Sequence, residues 1–115
     1  QNIEVPLCMH GIELQETRER TDKILQEFNL ESKAKQRLAA LTAQEKHLLS
    51  IARAFAMPVD TFIFGEPFRA MSLELIALVE AAMLRRCEAD KSLLFCTDKP
   101  DFACRSGARL VEMVI

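Results

Sequence analysis

The sequence predicts a helix-rich α/β fold, in which a parallel strand–helix–strand unit follows a largely helical region. Two short apolar segments, residues 61–64 and 92–97, have the β-branched and aromatic composition of buried strands. A helical segment lies between them, and a strand, a crossover helix and a strand within about 35 residues favour parallel pairing. Upstream, residues 14–28 repeat apolar side chains at the helical period.

The first part of the chain is predicted to be a loop followed by one clear helix. We expect residues 1–11 to be irregular because Pro6 and Gly11 interrupt any regular element. Residues 14–28 predict an amphipathic helix, and residues 31–41 a helical turn and a loop. The less polar stripe of the helix consists of Thr17, Thr21, Ile24, Leu25 and Phe28.

The start of the next helix carries the clearest local signal in the chain. Thr42 and Glu45 have the spacing of a capping box, in which each side chain accepts a hydrogen bond from the other residue's backbone N–H. The helix is expected to run to about Met57, because Pro58 cannot continue it.

The remaining elements follow from similar signals. A buried strand at residues 61–64 is expected to end at Gly65, and Ser72 can cap a helix that runs to about Arg86. After the second buried strand, a short helix is predicted at residues 100–105 and a terminal strand at residues 110–115.

Composition excludes several classes of protein. Half of the residues are apolar, so the chain can bury a core in one small domain. Lys and Arg number 15 against 17 Asp and Glu, a balance that argues against nucleic-acid binding by phosphate neutralisation. No apolar run is long enough to span a bilayer, and no signal peptide opens the chain, so we expect a cytoplasmic location.

Cysteine and glycine usage exclude two kinds of site. The four cysteines, Cys8, Cys87, Cys96 and Cys104, form no C-x-x-C pair, so we predict no metal site and expect reduced, mostly buried thiols. The three glycines are isolated from one another, which excludes a glycine-rich phosphate loop within these residues.

The order of the motifs resembles the second half of an ATP-binding-cassette (ABC) ATPase. Residues 41–45 read Leu-Thr-Ala-Gln-Glu, residues 51–56 Ile-Ala-Arg-Ala-Phe-Ala, and residues 62–67 Phe-Ile-Phe-Gly-Glu-Pro. In that family a signature L-S-G-G-Q precedes an "IARAL" helix, and an apolar strand then ends in D-E-P. Residues 2–7 are similar to the "N-V-x-x-P-L" that opens the family's helical subdomain, and residues 97–98 fall at its "T-H" switch.

This resemblance implies a partial P-loop NTPase core. Residues 1–41 would form the helical subdomain and residues 42–115 an incomplete α/β core, together one structural domain that lacks the phosphate-loop strand. The variant at residues 66–68, Glu-Pro-Phe, is reminiscent of the ATPases of Mla/Mce-type lipid transporters.

The resemblance also implies which positions carry the family's chemistry, and most of them have changed. Gly65 replaces the Asp that positions magnesium, Asp98 replaces the switch His, and Ser72 replaces the D-loop Asp, while Glu66 keeps the place of the general base. The degenerate signature, whose two glycines are lost, consists of Leu41, Thr42, Ala43, Gln44 and Glu45. On a structural interpretation, Glu66 caps the turn after the strand and Asp98 caps the following helix.

The leading hypothesis is a degenerate, non-hydrolysing ABC-type component that acts as a structural or regulatory partner of a membrane transporter. The alternatives are a truncated piece of an active ABC ATPase and a free-standing helical interaction module. On the first hypothesis the chain by itself is not an enzyme and takes no cofactor, although ATP and Mg²⁺ are the family's ligands. Its partner would be a permease or a complementary ATPase subunit docked on the helical subdomain. A homo-oligomer is a further option. The chain would be attached peripherally to the inner face of a membrane.

Overall fold

The computed structural model describes residues 1–98, Asp101 and Arg109. Within that part of the chain, short 3₁₀ turns occupy Glu31–Lys33 and Leu38–Ala40. The α-helices and β-strands are α1 (Glu4–Met9), α2 (Leu14–Glu27), α3 (Ala43–Ala56), β1 (Thr61–Phe64), α4 (Leu73–Glu88) and β2 (Ser92–Phe95). Apart from Asp101, the helix predicted at residues 100–105 and the strand predicted at residues 110–115 lie outside the described residues.

Helix α1 corrects the expectation that residues 1–11 are irregular. Pro6 is the third residue of this helix. In the first turn its missing N–H removes no intrahelical hydrogen bond, so it does not interrupt the helix. Gly11 follows the helix with φ +88°, a left-handed conformation that glycine adopts without steric cost.

Helix α2 confirms the predicted amphipathic helix, including the two threonines on its buried face. Thr17 and Thr21 are buried with Ile24, and Phe28 is the C-cap residue. The Thr21 hydroxyl donates to the Thr17 carbonyl oxygen at 2.8 Å, and the Thr17 hydroxyl donates to the carbonyl oxygen of Ile12 at 3.4 Å. These bonds satisfy the two hydroxyls, so the threonines can lie in the core without a desolvation penalty.

Strands β1 and β2 pair in parallel, as predicted, with Thr61 opposite Ser92 and Phe64 opposite Phe95. The expectation that both strands are buried was wrong, because the described residues cover only one face of the sheet. Phe62 is 5% exposed, whereas Ile63 is 72% exposed and Leu94 62% exposed on the other face.

The covered face packs on a cluster of phenylalanines centred on Phe55 of α3. The Phe55 ring centroid lies 5.0 Å from that of Phe62, 5.1 Å from that of Phe64 and 6.1 Å from that of Phe28. One ring of α3 thereby joins the sheet to the end of α2. The buried apolar core comprises Ile3, Leu7, Ile24, Phe28, Leu30, Leu48, Ile51, Ala52, Phe55, Ala56, Phe62, Phe68, Met71, Val79, Ala82 and Met83.

A carboxylate links the end of α2 to the end of α4. Glu27 Oε2 accepts hydrogen bonds from Arg85 Nε, at 2.7 Å, and from Arg86 Nη1. Burial acts to raise the pKa of Glu27, but the two arginine hydrogen bonds and the arginine charges outweigh it and lower the pKa below the ordinary 4.5. The Arg86 guanidinium also lies 4.5 Å from the centre of the Phe55 ring, so this contact extends into the core.

The three described cysteines correct the expectation of mostly buried thiols, since Cys8, Cys87 and Cys96 are all exposed. Cys104 lies outside the described residues. Among the helices of the described part of the chain, none combines the length and the apolar character needed to cross a membrane.

Within the described part of the chain, three turns use a left-handed backbone at a residue other than glycine. Asn29 has φ 54°, Ala70 φ 57° and Asp90 φ 61°. Asn29 and Asp90 immediately follow the C-cap residues of α2 and α4, where helices commonly end in this conformation. Ala70 lies in the segment between β1 and α4.

Candidate functional site

Residues 41–45, which the resemblance assigns to the signature, lie at the start of α3 and contribute to its local structure. The Thr42 N–H donates to Glu45 Oε1 at 3.0 Å, and the Glu45 N–H donates to the Thr42 hydroxyl at 3.1 Å, which confirms the predicted capping box. The Thr42 backbone N–H lowers the pKa of the Glu45 carboxyl, and Lys33 Nζ lies 3.5 Å from Glu45 Oε2. Leu41 precedes the cap and is half-buried.

Gln44, at one of the two former glycine positions, contacts the start of α4. Its side-chain Oε1 accepts a hydrogen bond from the Ser72 N–H at 2.9 Å. The Ser72 hydroxyl in turn accepts from the Leu75 N–H at 3.3 Å, so Ser72 is the N-cap of α4 as predicted. The Gln44 side chain therefore fixes the first turn of α3 against the cap of α4.

Glu66, at the position of the family's general base, lies just beyond the end of β1. Its Oε2 accepts a hydrogen bond from the backbone N–H of Asp98 at 3.0 Å, so the residues after β1 and β2 are joined. Its Oε1 is buried and has no hydrogen-bond partner among the described residues. One carboxylate oxygen is thus held by the fold, and the other is buried without a donor among the described residues.

Glu66 lines a cavity of about 450 Å³ between α3 and the segment that follows β1. Ala43, Gln44 and Arg69 line the same cavity, so two of the positions assigned to the signature share it with Glu66. Leu41, Thr42 and Glu45 do not line it. The structure therefore brings together only part of the set that the resemblance assigns.

His47 contributes a contact that sequence reasoning missed. Its Nε2 lies 3.0 Å from the carbonyl oxygen of Pro67, which can only accept, so Nε2 carries the proton and donates. His47 also lines the Glu66 cavity. The contact joins residues twenty positions apart, and no local pattern in the sequence predicts it.

Gly65 and Asp98 are both exposed at the end of the sheet. A Cβ atom added to Gly65 would meet no heavy atom within 4 Å, so the missing carboxylate at this position does not result from crowding. The Asp98 backbone N–H is committed to Glu66. Its predicted role as a helix cap falls on a segment that is mostly outside the described residues. Within the described part of the chain, no three His, Cys, Asp or Glu side chains are grouped so that they could hold a metal ion.

Several curated proteins are similar to nearly the whole of this chain. A histidine/lysine/arginine/ornithine transport ATP-binding protein of Escherichia coli is 31% identical over 88% of the chain and 40% of its own length. The protein of the same name from Salmonella typhimurium is 30% identical over 95% of the chain and 43% of its own length. The octopine permease ATP-binding protein P of Rhizobium radiobacter is 29% identical over 96% of the chain and 43% of its own length. The chain thus spans about two fifths of the length of these relatives.

A solved structure shares the fold. The ADP conformation of MJ1267, an ATP-binding cassette of an ABC transporter, superimposes with a TM-score of 0.66 at 18% identity, over 83% of this chain and 37% of that one. No model of a known protein family matches the chain.

Proposed function

Because the chain corresponds in sequence and fold to part of the ATP-binding domain of ABC transporters, we propose that it is a transporter component that does not itself hydrolyse ATP. It would act as a structural or regulatory partner in the assembly. The observation that carries this proposal is the end of β1, where Gly65 supplies no carboxylate beside Glu66. A lone carboxylate lacks the magnesium ligand and the transition-state donor that phosphoryl transfer requires.

The contacts of Gln44 support the same proposal. In the family, the backbone at this position approaches the nucleotide held by an opposing subunit. Here the position carries a side chain that is hydrogen-bonded to Ser72 of its own chain. The first turn of α3 is therefore occupied by a structural contact, and a nucleotide would have to displace it.

Asp98 adds an electrostatic argument. The family's switch residue is a hydrogen-bond donor that faces developing negative charge. A carboxylate at residue 98 carries the same sign as the phosphates and raises the energy of such a transition state. The changes at residues 44, 65 and 98 all disfavour hydrolysis at this site.

We propose further that residues 1–41 form the helical subdomain that docks on a permease or on a complementary ATPase subunit, with residues 42–115 as the incomplete core. This arrangement would place the chain in the cytoplasm, attached peripherally to the inner face of a membrane. A homo-oligomer is an alternative way to complete the core. Two of the relatives are named for the transport of histidine, lysine, arginine and ornithine and for octopine. Small amino acids of this kind are therefore the first substrates to test. The lipids suggested by residues 66–68 come second.

The test is the ATPase rate of the full encoded protein with its permease, measured for Glu66→Gln and for the control Glu88→Gln on the exposed end of α4. The proposal predicts that both variants keep the parent rate within about twofold. Loss of a working general base costs about 10²-fold or more, so a fall of that size in Glu66→Gln alone would contradict the proposal.

A working ATPase is the second candidate, and it is favoured by the buried Oε1 of Glu66, which has no hydrogen-bond partner among the described residues. That oxygen is placed as a proton acceptor would be. The Glu66→Gln experiment separates the two candidates directly. Co-purification with a permease separates both of them from a free-standing helical module.

A further inference from the structure

A groove between α2 and the ends of α3 and α4 concentrates positive charge on a chain whose formal net charge is -2. It consists of two adjoining depressions of about 590 and 380 Å³ that share Arg20, Phe55, Arg85 and Arg86 as lining residues. We call it the basic groove. Among the described residues, its charged lining consists of the cations Arg20, Lys23, Arg85, Arg86 and Lys91 and the anion Glu27.

Ion pairs within the chain neutralise only part of this charge. Arg20 lies 3.0 Å from Glu16, and Lys91 lies 2.8 Å from Asp60, so each of these cations has its own carboxylate. Arg85 and Arg86 share one oxygen of Glu27, which leaves one positive charge in excess. Lys23 is exposed and has no ion pair among the described residues. The groove therefore carries an excess of two positive charges.

The floor of the groove is apolar. The Phe55 and Phe62 rings form its deep part, and Met57, Pro58 and Val59 are half-buried along it. An occupant that matches both features needs carboxylates along one side and apolar side chains along the other. A nucleic acid would supply negative charge, but it carries no aliphatic side chains to cover Met57 and Val59 on the floor.

We propose that the basic groove binds an acidic, amphipathic segment of a partner protein. Carboxylates of that segment pair with Lys23 and with Arg85, whose side chain is 50% exposed at the rim. Arginine suits this role because its guanidinium forms paired hydrogen bonds with a carboxylate. Apolar side chains of the segment cover Met57 and Val59 on the floor. The proposal does not depend on whether the chain hydrolyses ATP.

Fluorescence anisotropy with a labelled amphipathic peptide tests this proposal on the full chain. The probe is a helical peptide of the same length as α2, with Glu on one stripe and Leu on the next, and its twin carries Gln in place of every Glu. We expect saturable binding of the acidic peptide and binding of the twin about tenfold weaker, because charge complementarity steers and fixes such contacts. Raising the salt well above 0.15 M should narrow that difference, because the Debye length there falls below about 8 Å.

Matched charge reversals locate the site. Lys23→Glu should weaken the acidic peptide about fivefold, as expected for the loss and reversal of an exposed charge pair. Lys46→Glu, on the exposed face of α3 away from the groove, should change binding by less than about twofold. Both lysines are exposed and lie within helices, so neither change disturbs the core.

Several results would overturn the proposal. The proposal is wrong if the acidic peptide shows no saturable binding or if the Gln twin binds equally well. It is also wrong if Lys23→Glu and Lys46→Glu lower the affinity for the acidic peptide equally. Tighter, Lys23-dependent binding to phosphatidylserine vesicles or to single-stranded DNA would replace the proposed occupant with a membrane or a nucleic acid.

Discussion

The hydroxyl of Thr42 and the carboxylate of Glu45 each accept a hydrogen bond from the other residue's backbone N–H. These two N–H groups would otherwise lack a partner at the start of α3. The signature positions thus stabilise a helix whose Phe55 ring organises the core.

Replacing Thr42 by Ala should lower the free energy of unfolding by about 1 kcal/mol, because the cap hydroxyl is lost. Thr42→Ser keeps the hydroxyl and should stay within about 0.5 kcal/mol of the parent. Urea unfolding followed by circular dichroism measures both changes. Equal stability of the Ala and Ser variants would show that the cap contributes little.

Gly11 and Gly65 differ in backbone conformation, so replacing each by Ala provides a second comparison of stability. Gly65 has open space around its missing Cβ, so Gly65→Ala should change the free energy of unfolding by less than about 0.5 kcal/mol. Gly11 has φ +88°, so Gly11→Ala should cost about 1 kcal/mol or more through backbone strain. Thermal unfolding of the two variants tests this ranking of their stabilities. A larger loss of stability in Gly65→Ala than in Gly11→Ala would contradict it.

At the scale of the secondary-structure elements, strand β1 shows a sharp contrast in solvent exposure between neighbouring residues. Phe62 points into the phenylalanine cluster, while Ile63 is largely exposed on the other face. Phe62→Ala should therefore lower the free energy of unfolding by about 3–5 kcal/mol through cavity formation. Ile63→Ala should cost less than about 1 kcal/mol. A large loss in Ile63→Ala, measured by urea unfolding, would mean that a further part of the protein covers that face.

The accuracy of the sequence-based prediction differed between elements for physical reasons. The starts of α3 and α4 were predicted correctly because Thr42, Glu45 and Ser72 act within a single turn. Helix α1 was missed because a proline in the first turn was treated as an interruption. The burial of the strands was overestimated because an apolar run of four residues does not reveal how many of its faces are covered.

The candidate site was predictable only where motif order determines position. The order of motifs assigned Gly65, Glu66 and Asp98 to one site, an assignment that stays a prediction, and in the structure Glu66 and Asp98 are hydrogen-bonded at one end of the sheet. The bonds from Gln44 to Ser72 and from His47 to Pro67 join residues 28 and 20 positions apart. Such contacts depend on how α3 packs against the segment after β1, and a single sequence contains no periodic signal for that packing.

At the scale of the whole molecule, Glu27 joins the end of α2 to Arg85 and Arg86 of α4, which lie 58 and 59 positions later. It connects the predicted helical subdomain to the predicted core. Because the folded pKa of Glu27 lies below the ordinary 4.5, ionisation favours the folded state. This contribution is fully present above the unfolded pKa of 4.5 and is lost as the pH falls through the lower folded value.

Glu27→Gln should therefore destabilise the chain at neutral pH, and this effect should shrink progressively as the pH falls below 4.5. The measurement is the free energy of unfolding of the parent and the variant across that range. Glu88→Gln, on the exposed end of α4, serves as the control and should show no such dependence. A destabilisation by Glu27→Gln that stays constant with pH would show that the side chain contributes through packing and not through its charge.

The left-handed corners at Asn29, Ala70 and Asp90 limit how this chain can vary. Branched side chains are strongly disfavoured in that conformation, whereas glycine, asparagine and aspartate tolerate it. In a saturation library, Val and Ile should be depleted at these three corners even though Asn29 and Asp90 are exposed to solvent. The tolerance of this surface to mutation is thus determined as much by backbone torsion as by burial.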